Sequence, residues 1–183
     1  MTRIAVIIPA RGGSKRLKDK NIATIWGKPM IFWALKAASG VTEIKDIFVS
    51  TESSKIKKTV EDLGFQVIDR PPELAGDSVI KMEPVRHAFE SLPKRDEYDI
   101  VICLQANSPE IHESHLNGAR ARFERFNLDE LFSVDSDLMQ NAAFRIIRAK
   151  HMGFKDLSIN CGVFICDISD VHTQEDVDRL EKI

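Results

Sequence analysis

The sequence predicts an α/β fold in which a mostly parallel sheet lies between two layers of helices. Short apolar runs rich in β-branched residues alternate along the chain with longer stretches whose apolar residues recur at helical spacing. The first run, residues 4–8, is apolar throughout, which is typical of a strand buried on both faces. The 183 residues contain no linker, repeat or low-complexity segment, so we expect a single domain over residues 1–183.

The strands follow from the short apolar runs and from the turn residues between them. They are predicted at residues 4–8, 47–51, 65–68, 100–104, 131–134, 144–147 and 161–165. If the first four follow the common order 3-2-1-4, the sheet reverses between the first and the fourth strand. Ligands bind at such a point, outside the carboxyl ends of the strands. We therefore expect the loops after these two strands to form one cleft.

The helices follow from apolar residues three or four positions apart and from their end signals. Pro29 suits the first turn of a helix that ends near Gly40. Ser53 or Ser54 caps the next helix, and Gly64 stops it. The remaining helices are predicted from Val79, Met82, Val85 and Phe89, from Leu116, Ala119, Phe123 and Phe126, and over residues 173–183, which begin with a capping Thr173.

The loop after the first strand is the strongest candidate for a ligand site. Asp19 is the one acid among its glycine pair and five basic residues: Gly12, Gly13, Arg11, Lys15, Arg16, Lys18 and Lys20. Glycines let the backbone approach a ligand and present N–H groups, while Arg and Lys neutralise phosphate oxygens. The residues alone leave two interpretations open, a polyphosphate-binding loop and a solvated basic loop. They do exclude the spacings G-x-x-x-x-G-K-[ST] and G-x-G-x-x-G.

The composition restricts the class of protein. A net charge of −2 argues against a general nucleic-acid binder, so we expect no nucleic-acid partner. Three cysteines without a C-x-x-C pair favour a reducing cytoplasm, and Cys103 and Cys161 lie in apolar runs where burial is expected. The N-terminal apolar run is too short for a signal peptide or a membrane span, so we expect neither these nor a membrane partner.

Residues 8–22 read I-P-A-R-G-G-S-K-R-L-K-D-K-N-I. This stretch resembles the N-terminal signature of the acylneuraminate cytidylyltransferases, the CMP-sialic acid synthetase family. Further stretches are similar to motifs of that family in the same order: residues 50–52, 70–77, 104–109, 160–165 and 170–176. The resemblance implies a Rossmann-like three-layer nucleotidyltransferase domain, and a homodimer, that transfers CMP from CTP to a nine-carbon, sialic-acid-like sugar acid and releases pyrophosphate.

The resemblance also implies roles for the matching residues. The nucleotide-binding set is Ala10, Arg11, Gly12, Gly13, Ser14, Lys15, Asn21, Arg70 and Asp77. In it, the Gly12 and Gly13 amides are expected to contact phosphate, and Arg70 to face the base or ribose. The catalytic set is Arg11, Lys15, Lys20 and Asp170, the substrate-binding set is Gln105, Asn107, Ser108 and Asn160, and the metal ligands are Asp170 and His172. Taken singly, Arg70 also fits an exposed turn, Gln105 and Ser108 fit turn or capping positions, and Asp170 fits a surface acid.

Two departures from the family bear on the chemistry. His172 stands where the family has the second Asp of a D-x-D pair; the resemblance implies Mg²⁺, but an Asp–His pair suits Mn²⁺ or Co²⁺ better. Residues 149–160 fill a segment that is longer in the family, where it carries sugar-binding residues and dimer contacts. Three alternatives stay open: a transferase for another acidic sugar or nucleotide, a catalytically reduced nucleotide-binding module, and a phosphate-binding structural subunit.

Overall fold

The computed structural model describes residues 2–182. Its strands are β1 (Ile4–Pro9), β2 (Thr24–Ile25), β3 (Lys28–Pro29), β4 (Asp46–Thr51), β5 (Gln66–Asp69), β6 (Ile100–Leu104), β7 (Glu130–Val134), β8 (Gln140–Arg148) and β9 (Cys161–Ile165). Seven of them form one sheet in the order β5-β4-β1-β6-β8-β7-β9, while β2 and β3 pair as a small hairpin. Four of the six neighbouring pairs in the large sheet are parallel, so the predicted α/β fold with a mostly parallel sheet is confirmed.

β1 is the strand around which the predicted part of the sheet is built. Its first five residues are fully buried, and it pairs in parallel with both β4 and β6. The observed order β5-β4-β1-β6 is the predicted order 3-2-1-4. Beyond β6, β8 runs antiparallel to β6 and to β7, and β9 is parallel to β7. The carboxyl ends of β1, β4, β6, β7 and β9 therefore share one edge of the sheet.

The described α-helices are α1 (Met30–Gly40), α2 (Ser54–Asp62), α3 (Met82–Glu90), α4 (Glu113–Arg125) and α5 (Gln174–Leu180). Ser53 rather than Ser54 caps α2, because its Oγ accepts the Ile56 N–H at 3.5 Å. Thr173 caps α5 as predicted, whereas Ile183, the last residue of the predicted closing helix, lies outside the described residues. None of the helices within residues 2–182 has the length and apolar character needed to span a bilayer.

The helices cover the two faces of the sheet unequally. α1, α2 and α4 pack on one face, and α3 packs on the other through Val85 and Phe89. The α3 face is open towards β9, where Val163 and Ile165 are 40% and 58% exposed. The expectation that Cys161 is buried is wrong, because β9 is an edge strand and Cys161 lies on its open side.

Candidate functional site

A cavity of about 520 Å³ lies at the carboxyl edge of the sheet. The predicted site residues that line it are Arg11, Ser14, Lys15, Lys20, Asn21, Arg70, Asp77, Gln105, Asn107, Asp170 and His172. They come from the loops after β1, β5 and β6 and from the segment before α5. The cleft expected between the loops after the first and fourth predicted strands is therefore present.

The first wall of the cavity is the basic loop after β1. The Arg11 guanidinium donates to Asp77 Oδ1 at 2.6 Å, and Lys15 Nζ lies 2.5 Å from Asp77 Oδ2. The same Arg11 Nη1 also donates to the Ala75 carbonyl oxygen at 3.3 Å. These two cations hold the pKa of Asp77 below its usual value. Two basic side chains of the expected nucleotide-binding set are thus brought together around a single carboxylate.

Backbone contacts fix the path of this loop. Asn21 Nδ2 donates to the Arg11 carbonyl oxygen at 3.0 Å, and the Gly12 N–H donates to Glu52 Oε1 at 2.7 Å. A Cβ on Gly12 would lie 2.9 Å from Ser53 Cβ, whereas a Cβ on Gly13 would meet nothing within 4 Å. The Gly12 amide is thus engaged by a side chain, and the absence of a Cβ lets the loop pack on the start of α2. Its expected contact with phosphate stays a prediction.

Two further residues of the nucleotide-binding set have structural partners. Ala10 is buried and its N–H donates to the Ser50 carbonyl oxygen at 2.9 Å. Arg70 is 5% exposed, so the exposed-turn interpretation is wrong. Its Nη2 donates to the Ser50 carbonyl oxygen at 2.6 Å and its Nε donates to Ser50 Oγ at 3.2 Å. Burial lowers the pKa of Arg70, and the neighbouring Glu52 partly opposes that effect. Arg70 therefore lines the cavity while its guanidinium is hydrogen-bonded to Ser50 near the end of β4.

The opposite wall joins the loop after β6 to the segment before α5. Ser108 Oγ donates to Asp170 Oδ1 at 2.5 Å, and Asn107 Nδ2 donates to the Val171 carbonyl oxygen at 3.1 Å. The Val171 N–H returns a hydrogen bond to the Asn107 carbonyl oxygen at 2.8 Å. Ser108 is fully buried and is not among the residues that line the cavity, so its role in substrate binding stays a prediction. In the structure its hydroxyl contacts Asp170.

A small apolar cluster ties the two walls together. Val171 is fully buried against Leu17 of the basic loop and against Val177 and Leu180 of α5. Asp170 and His172 flank this buried residue and line the cavity. The contact between the basic loop and the segment before α5 joins parts of the chain that the sequence pattern could not bring together.

His172 and Lys20 have perturbed electrostatics. Arg16 Nη2 lies 3.2 Å from His172 Nδ1, so a hydrogen bond there makes the imidazole nitrogen the acceptor. The pKa of His172 is lowered, chiefly by burial and then by Lys20. The pKa of Lys20 is also lowered by burial, and the nearby Asp170 carboxylate opposes that effect. A partly buried ammonium group at a cavity wall is a strong attractor for an anionic ligand.

The donors for a divalent cation are few. Within residues 2–182 no three His, Cys, Asp or Glu side chains are grouped as a metal site. Asp170 and His172 both line the cavity, but Ser108 engages one Asp170 oxygen and Arg16 approaches one His172 nitrogen. This pair fits a cation that takes most of its ligands from phosphate and water, as Mg²⁺ commonly does.

Asn160 is not brought to the cavity. It precedes β9 at the amino end of the strand, on the edge of the sheet opposite the cavity, and its Nδ2 donates to the Asn127 carbonyl oxygen at 2.9 Å. Asn160 therefore does not line this cavity, and its assignment to substrate binding stays a prediction. Sequence reasoning missed Lys81, which lines the cavity just before α3 and adds a cation to it. The signal in the sequence is its position, because Lys81 is a basic residue only four positions after Asp77.

Comparisons with known proteins show which family the chain resembles in sequence. The model of the cytidylyltransferase family matches residues 5–142. An N-acylneuraminate cytidylyltransferase of Oncorhynchus mykiss is 35% identical over 131 residues, which is 72% of this chain and 30% of the relative. One from Streptococcus agalactiae serotype III is 36% identical over 129 residues, or 69% and 30% of the two chains. The chain thus spans about 30% of the length of these curated relatives.

A solved structure has a similar fold. It is a CMP:2-keto-3-deoxy-manno-octonic acid synthetase complexed with CTP, with a TM-score of 0.81 at 16% sequence identity. The alignment covers 99% of this chain and 98% of that chain. The likeness therefore extends over the whole Rossmann-like sheet and its helices.

Proposed function

The chain belongs to the cytidylyltransferase family, and on that premise we propose that it transfers CMP from CTP to a sialic-acid-like nine-carbon sugar acid and releases pyrophosphate. One observation carries the proposal. Side chains from the basic loop of residues 11–21 and from the stretch 70–77 line one cavity of about 520 Å³ together with Gln105 and Asp170. We propose that residues 1–183 act as one catalytic domain, in a cytoplasmic compartment that keeps its three free cysteines reduced.

In the proposed reaction the anomeric hydroxyl of the sugar acid attacks the α-phosphorus of CTP, and pyrophosphate leaves. Such chemistry depends on positioning and on neutralising charge rather than on a covalent intermediate. Arg11 and Lys15 would exchange Asp77 for phosphate oxygens, and Lys20 would face the same anion from its partly buried position. Ser14 and Asn21 complete the wall, with Gly13 presenting open backbone.

A divalent cation would add charge neutralisation at the phosphates and lower the barrier to displacement. Asp170 would hold it, with His172 as second ligand, and Mg²⁺, Mn²⁺ and Co²⁺ are the candidates. Ser108 keeps the Asp170 carboxylate turned to one orientation, which is what a ligand to substrate-bound metal requires. On the sugar side, Gln105 and Asn107 supply amide groups for hydroxyls of the acceptor.

The proposed assembly is a homodimer. Its support is the open face at β9, where Val163 and Ile165 are exposed, and the adjoining Ile159, whose side chain is fully exposed. Exposed apolar residues next to an unpaired edge strand favour contact with another chain. Sedimentation at micromolar concentration tests the assembly, and a monomer there would contradict it.

A pyrophosphate-release screen tests the function. The protein is mixed with CTP, UTP or GTP and a panel of eight- and nine-carbon sugar acids in Mg²⁺ and in Mn²⁺. We expect release with CTP and a nine-carbon acid, and a larger thermal shift with CTP than with UTP or GTP. Pyrophosphate release with an eight-carbon acid alone would show that the substrate is an eight-carbon rather than a nine-carbon sugar acid. Equal thermal shifts with CTP, UTP and GTP would contradict the proposed preference for CTP.

The second candidate function is a nucleotide-binding module without catalysis. The approach of Arg16 to His172 Nδ1 favours it, because that nitrogen is then occupied by a protein donor. CTP binding without pyrophosphate release from any acid in the panel would support this candidate over the enzyme.

A further inference from the structure

Glu52 is an acid placed directly beside the loop that is proposed to bind a triphosphate. It follows β4, and its Oε1 accepts the N–H of Gly12 at 2.7 Å. Gly12 lies between Arg11 and Gly13, so the direction of its amide fixes the path of the backbone from Arg11 to Gly13, where the space around the chain is open. Gly12 also packs closely against the residue that caps α2, because a Cβ on Gly12 would lie only 2.9 Å from Ser53 Cβ.

Glu52 is itself held from behind by Arg70. Arg70 Nη1 lies 3.7 Å from Glu52 Oε2, and the rest of that guanidinium is anchored on Ser50 at the end of β4. Arg70 is 5% exposed and Ser50 is fully buried, so this anchor belongs to the rigid sheet. Glu52 Oε2 is buried and has no hydrogen-bond partner among residues 2–182, which leaves the Arg70 charge as its compensation.

The charge of Glu52 opposes anion binding. A carboxylate next to a phosphate-binding loop repels a triphosphate, so removal of that charge alone strengthens nucleotide binding. A hydrogen bond between a carboxylate and a backbone N–H, by contrast, orders the loop before the ligand arrives. The two effects have opposite signs, and a substitution series can separate them.

We propose that Glu52 is a positioning residue, which with Arg70 behind it fixes the Gly12 amide and so aims Arg11, Gly13 and Lys15 at the triphosphate. The inference rests on the proposed function for its ligand, and on the structure alone for the ordering of the loop. Arg70 then acts through Glu52 on the loop. Glu52 links the end of β4 to the loop after β1, which are neighbours at the carboxyl edge of the sheet.

The experiment uses Glu52→Gln and Glu52→Ala, with Glu61→Ala as a control that removes one negative charge from the exposed face of α2. Gln keeps an oxygen acceptor for the Gly12 N–H, while Ala removes it. Two quantities are measured: the dissociation constant for CTP, and hydrogen exchange of the Gly12 segment without nucleotide. We expect Glu52→Ala to raise the CTP dissociation constant about tenfold and to speed exchange at Gly12. Glu52→Gln and Glu61→Ala should stay within about threefold of the parent protein in affinity.

Unchanged exchange in β6 shows that Glu52→Ala is folded. Tighter CTP binding by both Glu52 variants would overturn the proposal, because charge alone would then explain the residue. Equal weakening by Gln and Ala would also overturn it, since the retained acceptor would have no effect. If the parent protein binds no nucleotide, the proposed function fails, and the exchange of Gly12 still decides whether Glu52 positions the loop.

Discussion

The two walls of the cavity are held in place by different forces. The basic loop after β1 is held by charge: Asp77 joins Arg11 to Lys15, and Glu52 takes the Gly12 amide. The opposite wall is held chiefly by buried neutral donors, the hydroxyl of Ser108 and the amide of Asn107, which fix the segment around Asp170. The first wall is therefore held by ionic contacts that an anionic ligand can replace, and the second by buried hydrogen bonds that keep it in place.

The exposure of the ion pairs agrees with this difference. The side chains of Lys15 and Asp77 are 79% and 49% exposed, so their pair is weak and easily replaced by phosphate. Ser108 and Asn107 are 0% and 7% exposed, and breaking a buried hydrogen bond leaves a donor or acceptor unsatisfied. Substitutions in the first wall should therefore change ligand affinity, and those in the second should change turnover.

The largest effect is expected for Lys20→Ala in the first wall. Lys20 is partly buried and faces both the cavity and Asp170, so its loss removes a desolvated charge from the anion site. We expect the catalytic efficiency for CTP to fall about 100-fold or more. Lys18→Ala is the control, because Lys18 is exposed in the same loop and does not line the cavity. Similar losses for the two variants would show that the loop acts as a diffuse basic patch.

In the second wall, Ser108→Ala should lower turnover with CTP about tenfold and leave the Michaelis constant for CTP nearly unchanged. The hydroxyl of Ser108 holds Asp170 at 2.5 Å, and without it the carboxylate is free to turn. Ser91→Ala removes another hydroxyl, which donates to the His87 carbonyl oxygen on the exposed end of α3, and should have no effect. A change in affinity rather than turnover would break the distinction between the walls.

The sequence also predicts the two walls to different extents. The basic wall comes from one contiguous stretch, so the local sequence alone identifies its cations. The hydrogen bond between Ser108 and Asp170 joins residues 62 positions apart, and nothing in local spacing indicates it. Periodicity and turn signals gave the element types and the order around β1, because those depend on local pattern and on a common topology.

The differences between expectation and structure have physical reasons of the same kind. Motif order predicts that Asn160 binds substrate, but β9 runs parallel to β7, which puts its amino end on the edge away from the cavity. The apolar neighbours of Cys161 predict burial, whereas its exposure depends on which strand ends the sheet. The resemblance assigns the Gly12 amide to phosphate, and in the structure a side chain 40 positions away accepts its hydrogen bond. Each difference lies in a long-range contact rather than in the local pattern.

A smaller effect is expected at the base of the second wall, where Asp176 accepts the N–H groups of His172 and Thr173 at 2.8 and 2.9 Å. These contacts lower the pKa of Asp176, with the His172 N–H as the main cause. Its stabilising effect is therefore present above the usual carboxyl pKa and is lost as the pH falls through the lowered value. Asp176→Asn should lower the free energy of unfolding by roughly 0.5 kcal/mol at pH 7, measured by urea denaturation.

The difference between Asp176→Asn and the parent protein should shrink as the pH falls below the usual carboxyl pKa of about 4, and disappear below the lowered pKa of Asp176. Asp178→Asn is the control, since Asp178 lies on the exposed side of the same helix and accepts a hydrogen bond from Gln174. A constant difference down to pH 2 would mean that the carboxylate charge is not what holds the second wall at α5.

The smallest effect is expected for His172, where the two walls touch. Arg16 of the first wall approaches its Nδ1 at 3.2 Å, so a metal in the cavity would have to bind through Nε2 or displace Arg16. An imidazole ligand favours Mn²⁺ and Co²⁺ over Mg²⁺, which prefers oxygen ligands. We expect pyrophosphate release to be a few-fold faster in Mn²⁺ than in Mg²⁺. His172→Asp should reverse that preference, and His172→Ala should abolish it.

Arg16→Gln distinguishes two roles of His172, that of a metal ligand and that of a contact between the two walls. If Arg16 competes with the metal for the imidazole, its removal frees Nδ1 and should increase the preference for Mn²⁺. If His172 serves only to join the walls, Arg16→Gln and His172→Ala should slow the reaction equally in Mg²⁺ and in Mn²⁺. Equal rates for all variants in both metals would make His172 a bystander and leave Asp170, oriented by Ser108, as the one protein ligand that the reaction needs.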